Sequence, residues 1–230
     1  MPQTGGLTPK QRSDPFWMAA MRMAIVHNAI IRGLNAIILQ APYVAVHQGE
    51  DFIGYARSWF EFVHDHHLAE EELLFPTIEK AIGICGIMKE NVEQHQAFET
   101  GLKLFDEYLS TATGTTFSGL KLNSIIDSFA PCLMKHLGDE ISSIMGLARF
   151  DAQIDMAAIS QDVAAKAVGR LSKDTVLPFF VTALDKTIDE RDFAEFPPIP
   201  SIEGMFSRSY WKFAPCSVDR VPKEKPEVTA

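Results

Sequence analysis

The sequence predicts an all-α protein: an up-down-up-down four-helix bundle followed by a partly helical C-terminal extension. Three observations carry this. Apolar residues recur at alternating intervals of three and four from Phe16 to about Leu147, the spacing of helices with one buried stripe. Breaker and cap residues divide that stretch into four long runs. Each run places a histidine at mid-length on its apolar stripe, where packing alone calls for none.

The first helix starts after Ser13 or Asp14 as cap, with Pro15 in the first turn, where its missing N–H costs nothing, and stops before Pro42. Its inward stripe reads Phe16, Ala20, Met23, His27, Ile30, Leu34 and Ile37. The second runs from about Glu50 to about Ala81 with Phe52, Ala56, Trp59, Val63, His66, Glu70 and Leu73 inward. Pro76 removes one backbone hydrogen bond and is expected to kink this helix near Glu72. The third, about Lys89 to Thr111, turns Met88 or Val92, His95, Phe98 or Glu99, Leu102, Phe105 and Leu109 inward. The fourth, about Ser118 to Phe150, does the same with Leu122, Ile126, Phe129, Leu133, His136, Glu140 and Leu147. This is the seam of an antiparallel bundle.

After Phe150 the periodicity weakens. Ile154 to Leu171 and Thr175 to Ile188 read as helical, and from Phe193 onward Pro197, Pro198, Pro200, Pro215 and Pro222 forbid long helices. Phe206, Tyr210, Trp211 and Phe213 are too apolar for a solvated tail, so the extension is expected to wrap against the bundle. The domain reading is a disordered stretch 1–13, a bundle 14–150 and an extension 151–230.

A chain of 230 residues with 47% hydrophobic content fits one well-buried domain. The formal charge of −9 argues against nucleic acid, whose phosphates need a clustered basic surface. The polar, glycine-bearing N-terminus lacks the apolar core of a signal peptide, and no apolar run reads as the roughly 20 residues that span a membrane. A cytoplasmic protein without membrane partners is expected. Cys85, Cys132 and Cys216 lack a Cys-x-x-Cys spacing and read as buried free thiols.

The chemistry lies where the four stripes meet. His66 and Glu70, and again His136 and Glu140, are four residues apart, so each pair leaves one helix face with Cβ atoms about 6 Å apart, near enough to share a cation. With His27 and His95 they form six potential ligands at one level of the bundle. An ionised glutamate in an apolar core costs several kcal/mol unless it is paired or metal-bound, so a central cation explains what packing does not. Imidazole and carboxylate donors suit Fe, Mn or Zn.

His67 and Glu71 repeat the same spacing. The apolar ladder favours His66 and Glu70; Glu71 falls on the side of Arg57 and His64, which reads as solvated, and His67 on a flank with Phe60 and Leu74, in a supporting position. His64 and His47 are assigned to the surface or a helix start.

The stretch His66 to Pro76 resembles the hemerythrin-like, or HHE cation-binding, domain: histidine, variable residues, Glu-Glu, then Leu-Phe-Pro. The match extends to Val26-His27-Asn28, to Glu93-Gln94-His95-Gln96-Ala97-Phe98 and to His136-Leu137-Gly138-Asp139-Glu140, and covers about Met18 to Phe150. Leu177-Pro178-Phe179-Phe180 and Tyr210-Trp211-Lys212-Phe213-Ala214-Pro215-Cys216 look like the extension of long fungal-type relatives. The resemblance implies two non-haem irons bridged by carboxylates, with an open position for dioxygen. On that reading His27, His66, His95 and His136 are terminal ligands, Glu70 and Glu140 bridge, and Mn or Zn satisfies the same donors.

One departure stands out. Oxygen-carrying hemerythrins have two histidines one turn apart on the third helix, whereas here His95 has Asn91 before it and Glu99 after it. Three readings stand side by side: an iron or oxygen sensor or store without turnover, a di-iron oxidase or oxygenase whose further partner is a small apolar molecule, and a helical interaction module that keeps the motif but uses no metal.

Overall fold

In a computed structural model that describes residues 8–185, the protein is all-helical, with no strand among the described residues. Thr8 caps α1 (Pro9–Ser13) through a reciprocal capping box with Gln11. The last part of the stretch expected to be disordered is thus a short helix. Asp14 then caps α2 (Pro15–Gln40) by accepting from the Phe16 and Trp17 N–H groups, with Pro15 at the first helical position.

The second long run is α3 (Gly49–Ala69), a π-helical turn (Glu70–Leu74) and α4 (Phe75–Ile82). A kink near Glu72 was the expectation; the chain instead inserts an extra residue. Pro76 has no N–H to give Glu72, and the Phe75 N–H bonds to Glu70 O, five residues back. That extra residue advances the inward stripe by one position. Leu74 and Phe75 are buried, whereas Leu73, expected inward, is half-buried.

α5 (Lys89–Thr111) has the expected bounds, and α6 (Gly119–Gly146), capped by Ser118, passes into a 3-10 turn over Leu147–Phe150. Helix α6 packs on α5 and α2, and α3 packs on the same two, which closes a ring of four. By length and composition alone α2 could cross a membrane, contrary to the reading of the sequence above. Its apolar face is instead spent inside the bundle, where Ile30, Leu34 and Ile37 are buried.

The extension supplies α7 (Met156–Arg170) and α8 (Val176–Ala183). Helix α8 is buried nearly all round. Phe180 stacks on Phe62 with ring centroids 4.7 Å apart, Phe179 meets Tyr55 at 5.5 Å, and Arg32 Nε donates to the C-terminal carbonyl of Ala183 at 2.9 Å. The expected aromatic clasp of Phe206 to Pro215 lies outside the described residues. Cys85 and Cys132 are exposed rather than buried, the first in a loop and the second on the outer face of α6; Cys216 lies outside the described residues.

Two apolar clusters form the core. One is built around Trp59, Phe105 and Phe129, the other around Phe16, Phe75 and Leu147. The histidines and glutamates of the four stripes belong to neither and form a polar layer between them.

Candidate metal centre

Six side chains expected to converge do so. His27, Glu70, His95, His136 and Glu140 are buried, and the His66 side chain is 10% exposed. They form two groups that share Glu70: His27, His66, Glu70 and Glu140 in one, and Glu70, His95, His136 with His67 in the other. Within each group the potential donor atoms all lie within 4.8 Å of one another.

Outer hydrogen bonds decide which face each imidazole turns inward. His27 Nδ1 donates to Leu137 O at 2.8 Å, His95 Nδ1 to Glu71 Oε1 at 2.6 Å, and His136 Nδ1 to Gln94 Oε1 at 3.2 Å. Each acceptor fixes the tautomer with its proton on Nδ1 and leaves a lone pair on Nε2. Those Nε2 atoms crowd together: His27 and His66 at 3.2 Å, His95 and His136 at 3.1 Å. In the His95–His136 pair both Nδ1 atoms are already committed to outer acceptors, so the two Nε2 atoms can lie this close only with a proton or a cation beside them.

The carboxylates face the same points. Glu70 Oε1 is 3.0 Å from His66 Nε2 and Oε2 is 3.4 Å from His95 Nε2, while Glu140 Oε2 is 3.2 Å from His27 Nε2 and 3.8 Å from His136 Nε2. Among the described residues none of the four carboxylate oxygens has a hydrogen-bond partner. Buried acceptors without donors cost several kcal/mol each; cations between carboxylate and imidazole satisfy both sets at once. The donor set therefore fits a pair of metal ions.

Protonation follows the same geometry. Burial alone disfavours charge on His66 and His95, but the Glu70 carboxylate outweighs it and raises both above the ordinary histidine range. Burial likewise works to raise Glu70, yet His66 and His95 hold it well below the usual carboxylate range. Glu140 is raised, by burial first and then by the Glu70 charge. Burial pushes His67 well down and His136 down to about 3.

His67 is the residue the sequence reading misplaced. It is 7% exposed, its Nε2 has no hydrogen-bond partner among the described residues, and its ring centroid lies 4.5 Å from that of His95 and 5.1 Å from that of His136. The signal was present: His67 stands four residues after Val63, which is fully buried. The ladder continues through both histidines because the second run presents a broad face at this level.

Glu71, read as solvated, is indeed largely exposed but carries the hydrogen bond that orients His95. Gln94 was missed as the partner of His136; its amide also donates to Asp139, which Lys135 holds from the other side. Glu99 is exposed and paired with Lys103, and the buried Asn91 accepts from Ser143 Oγ at 3.2 Å. Neither supplies the second histidine that the third helix lacks. His67, from α3, belongs to the same group as His95 and His136. His64 and His47 are exposed, as expected.

The model of the hemerythrin HHE cation-binding domain family matches residues 22–148. The "Dimeric xanthone biosynthesis cluster protein R11" of Cryptosporiopsis sp. (strain 8999) is 32% identical over 214 residues, covering 89% of this chain and 81% of that protein. No solved structure matches. With the family model spanning more than half of the chain and laid over the four runs that carry the cluster, the chain belongs to the hemerythrin family of HHE cation-binding domains.

Proposed function

We propose that the protein is a non-haem di-iron protein that binds and activates dioxygen within an up-down-up-down four-helix bundle. One observation carries this reading: three imidazoles anchored through Nδ1 turn bare Nε2 atoms toward two buried carboxylates that have no hydrogen-bond partner among the described residues. His27, His66 and Glu140 would hold one ion and His67, His95 and His136 the other, with Glu70 common to both groups. Two irons would supply one-electron redox changes and an open coordination position for dioxygen.

The chain's own residues do the rest. Glu70 and Glu140 offset the cationic charge that the low-dielectric interior would otherwise reject. Leu137 O, Glu71 and Gln94 hold the imidazoles in one tautomer, so loading requires no reorientation. Phe98, whose ring centroid is 5.0 Å from that of His67, and Phe75, 5.8 Å from that of His95, exclude water from the cluster. His66 is the most accessible of these imidazoles, which gives a small molecule a side from which to approach.

That accessible side favours the oxidase or oxygenase reading over a sealed store. The relative's name attaches that protein to the biosynthesis of dimeric xanthones, and this supports a role for the present chain in small-molecule oxidation. Elemental analysis of full-length protein purified without chelator tests the reading: two irons per chain are expected, and fewer than half a metal per chain after anaerobic iron addition would overturn it. Mixing the ferrous form with oxygen then separates the two kinds of function. A spectrum that reverts under vacuum means reversible binding, and irreversible oxidation hastened by an organic compound means turnover.

A further inference from the structure

A cavity of about 110 Å³ lies between α2, α3 and α7, partly open to the surface, and His66 and Glu70 form part of its wall. Apart from them its lining is almost wholly apolar. Met23 and Val26 come from α2, Phe62 from α3, and Val163, Ala164 and Ala167 from α7.

Its origin can be read from α7. That helix carries an inward row at helical spacing, Ser160, Val163, Ala164 and Ala167, continued by Leu171 just past its end, yet all five remain half-buried, and within the helix only Met156 is fully buried. Small side chains at 160, 164 and 167 leave the row short of the bundle. On the opposite wall Met23, one turn before His27 on its stripe, is also only half-buried. Such a gap would cost stability if it were merely a packing fault. Here it lies against His66, the most exposed imidazole of the polar layer among the described residues.

We infer that this cavity is the binding chamber for an uncharged aromatic organic substrate, held with one edge toward His66 and Glu70. The orientation toward the metals rests on the di-iron reading; the chamber itself does not. A space of about 110 Å³ is of the order of one aromatic ring, since an apolar cavity of about 150 Å³ takes up benzene. The open side leaves room for the rest of a larger molecule. The stacked pair Phe62 and Phe180 contributes aromatic wall, and Met23 a polarizable, adaptable one. The charged side chains lining the chamber besides Glu70, Arg22 and Asp65, have opposite signs. Arg22 and Asp65 thus give an ion no wall of a single sign beyond the centre itself, and an uncharged ligand avoids the desolvation cost of entering the apolar remainder.

The test uses full-length protein and 2-naphthol as probe, titrated into metal-free and into zinc-loaded protein, zinc being redox-inert. Saturable one-site binding is expected in both forms. Ala164→Trp should weaken it at least tenfold, and the milder Ala167→Leu by a smaller factor, with metal content unchanged in each. In manganese-loaded protein the probe's proton lines should broaden. Absence of saturable binding up to the solubility limit, or full affinity in both variants, overturns the chamber. Binding without broadening overturns its orientation toward the centre. Should the protein take up no metal and yet bind naphthol in a manner sensitive to Ala164→Trp, the di-iron reading falls and the chamber stands.

Discussion

Glu70 is the one donor common to both halves of the cluster, so its charge is the most informative to remove. Glu70→Gln keeps the side chain's size and takes away one negative charge and one bridging oxygen. In the parent the carboxylate faces His66 Nε2 at 3.0 Å and His95 Nε2 at 3.4 Å, with its side chain 3% exposed. Removing one partner from a buried charge pair costs about 3–5 kcal/mol, and at 1.36 kcal/mol per decade this lowers metal affinity roughly 10²- to 10⁴-fold. Glu71→Gln removes only the charge that orients His95 from outside, an effect of about 10- to 100-fold. His64→Ala, on the exposed face of the same helix, should change nothing. The assay is metal content after equilibrium dialysis against a graded chromophoric chelator, with circular dichroism to confirm that each variant is folded. The placement of the inward face is wrong if Glu70→Gln retains both metals within tenfold of parental affinity, or if His64→Ala loses as much metal as Glu70→Gln.

Three further outcomes follow from the same geometry. His67→Ala should take metal stoichiometry from two toward one per chain, because it serves only one of the two groups; two tightly held metals would return His67 to a supporting position. In metal-free protein, His66, His95 and Glu140 are raised and so bind more protons folded than unfolded; stability falls as pH rises above about 6.5 through the folded values of the two histidines, and the Glu140 contribution is lost from about 4.3 upward. His67 and His136 are lowered and take up protons only on unfolding, so stability also falls as pH drops from about 6.5 toward about 3, with Glu70 adding to the loss below its ordinary value. Urea titrations across that range should show stability falling toward both the acid and the alkaline end, and a monotonic profile contradicts the assignment. Lastly, a Cβ at Gly33 would lie 2.5 Å from Phe179 Cζ and 2.7 Å from Trp59 Cδ1. Gly33→Ala should cost about 1–3 kcal/mol and lower Tm by roughly 2–12 °C without altering metal content; an unchanged Tm would mean that α8 does not seat against α2 as described.

Helix bounds were legible because caps and breakers act locally. Asp14 and Pro15 start α2, and α5 spans Lys89–Thr111 as its periodicity requires. The cluster was legible for a different reason: histidine and glutamate on an otherwise apolar stripe are costly anywhere except beside a partner. What the sequence concealed depends on three-dimensional detail. The π turn arises from competition between Pro76 and the backbone, and it moves the stripe from Leu73 to Leu74 and Phe75. Glu71 and Gln94 act across a helix interface, and nothing in the spacing along their own helices indicates which imidazole they will meet. The exposed cysteines show that a residue type common in cores is a poor guide at a single position.

The burial of α8 bears on how the protein can be cut. A truncation after Phe150 would keep every proposed donor, from His27 to Glu140. It would also strip cover from Tyr55 and Phe62, whose rings rest on Phe179 and Phe180, and leave the Arg32 guanidinium without the carbonyl it holds. A fragment bounded by the family match alone would therefore present a greasy flank and tend to aggregate. Recombinant boundaries for this protein belong beyond Ala183, even when the ions are the only interest.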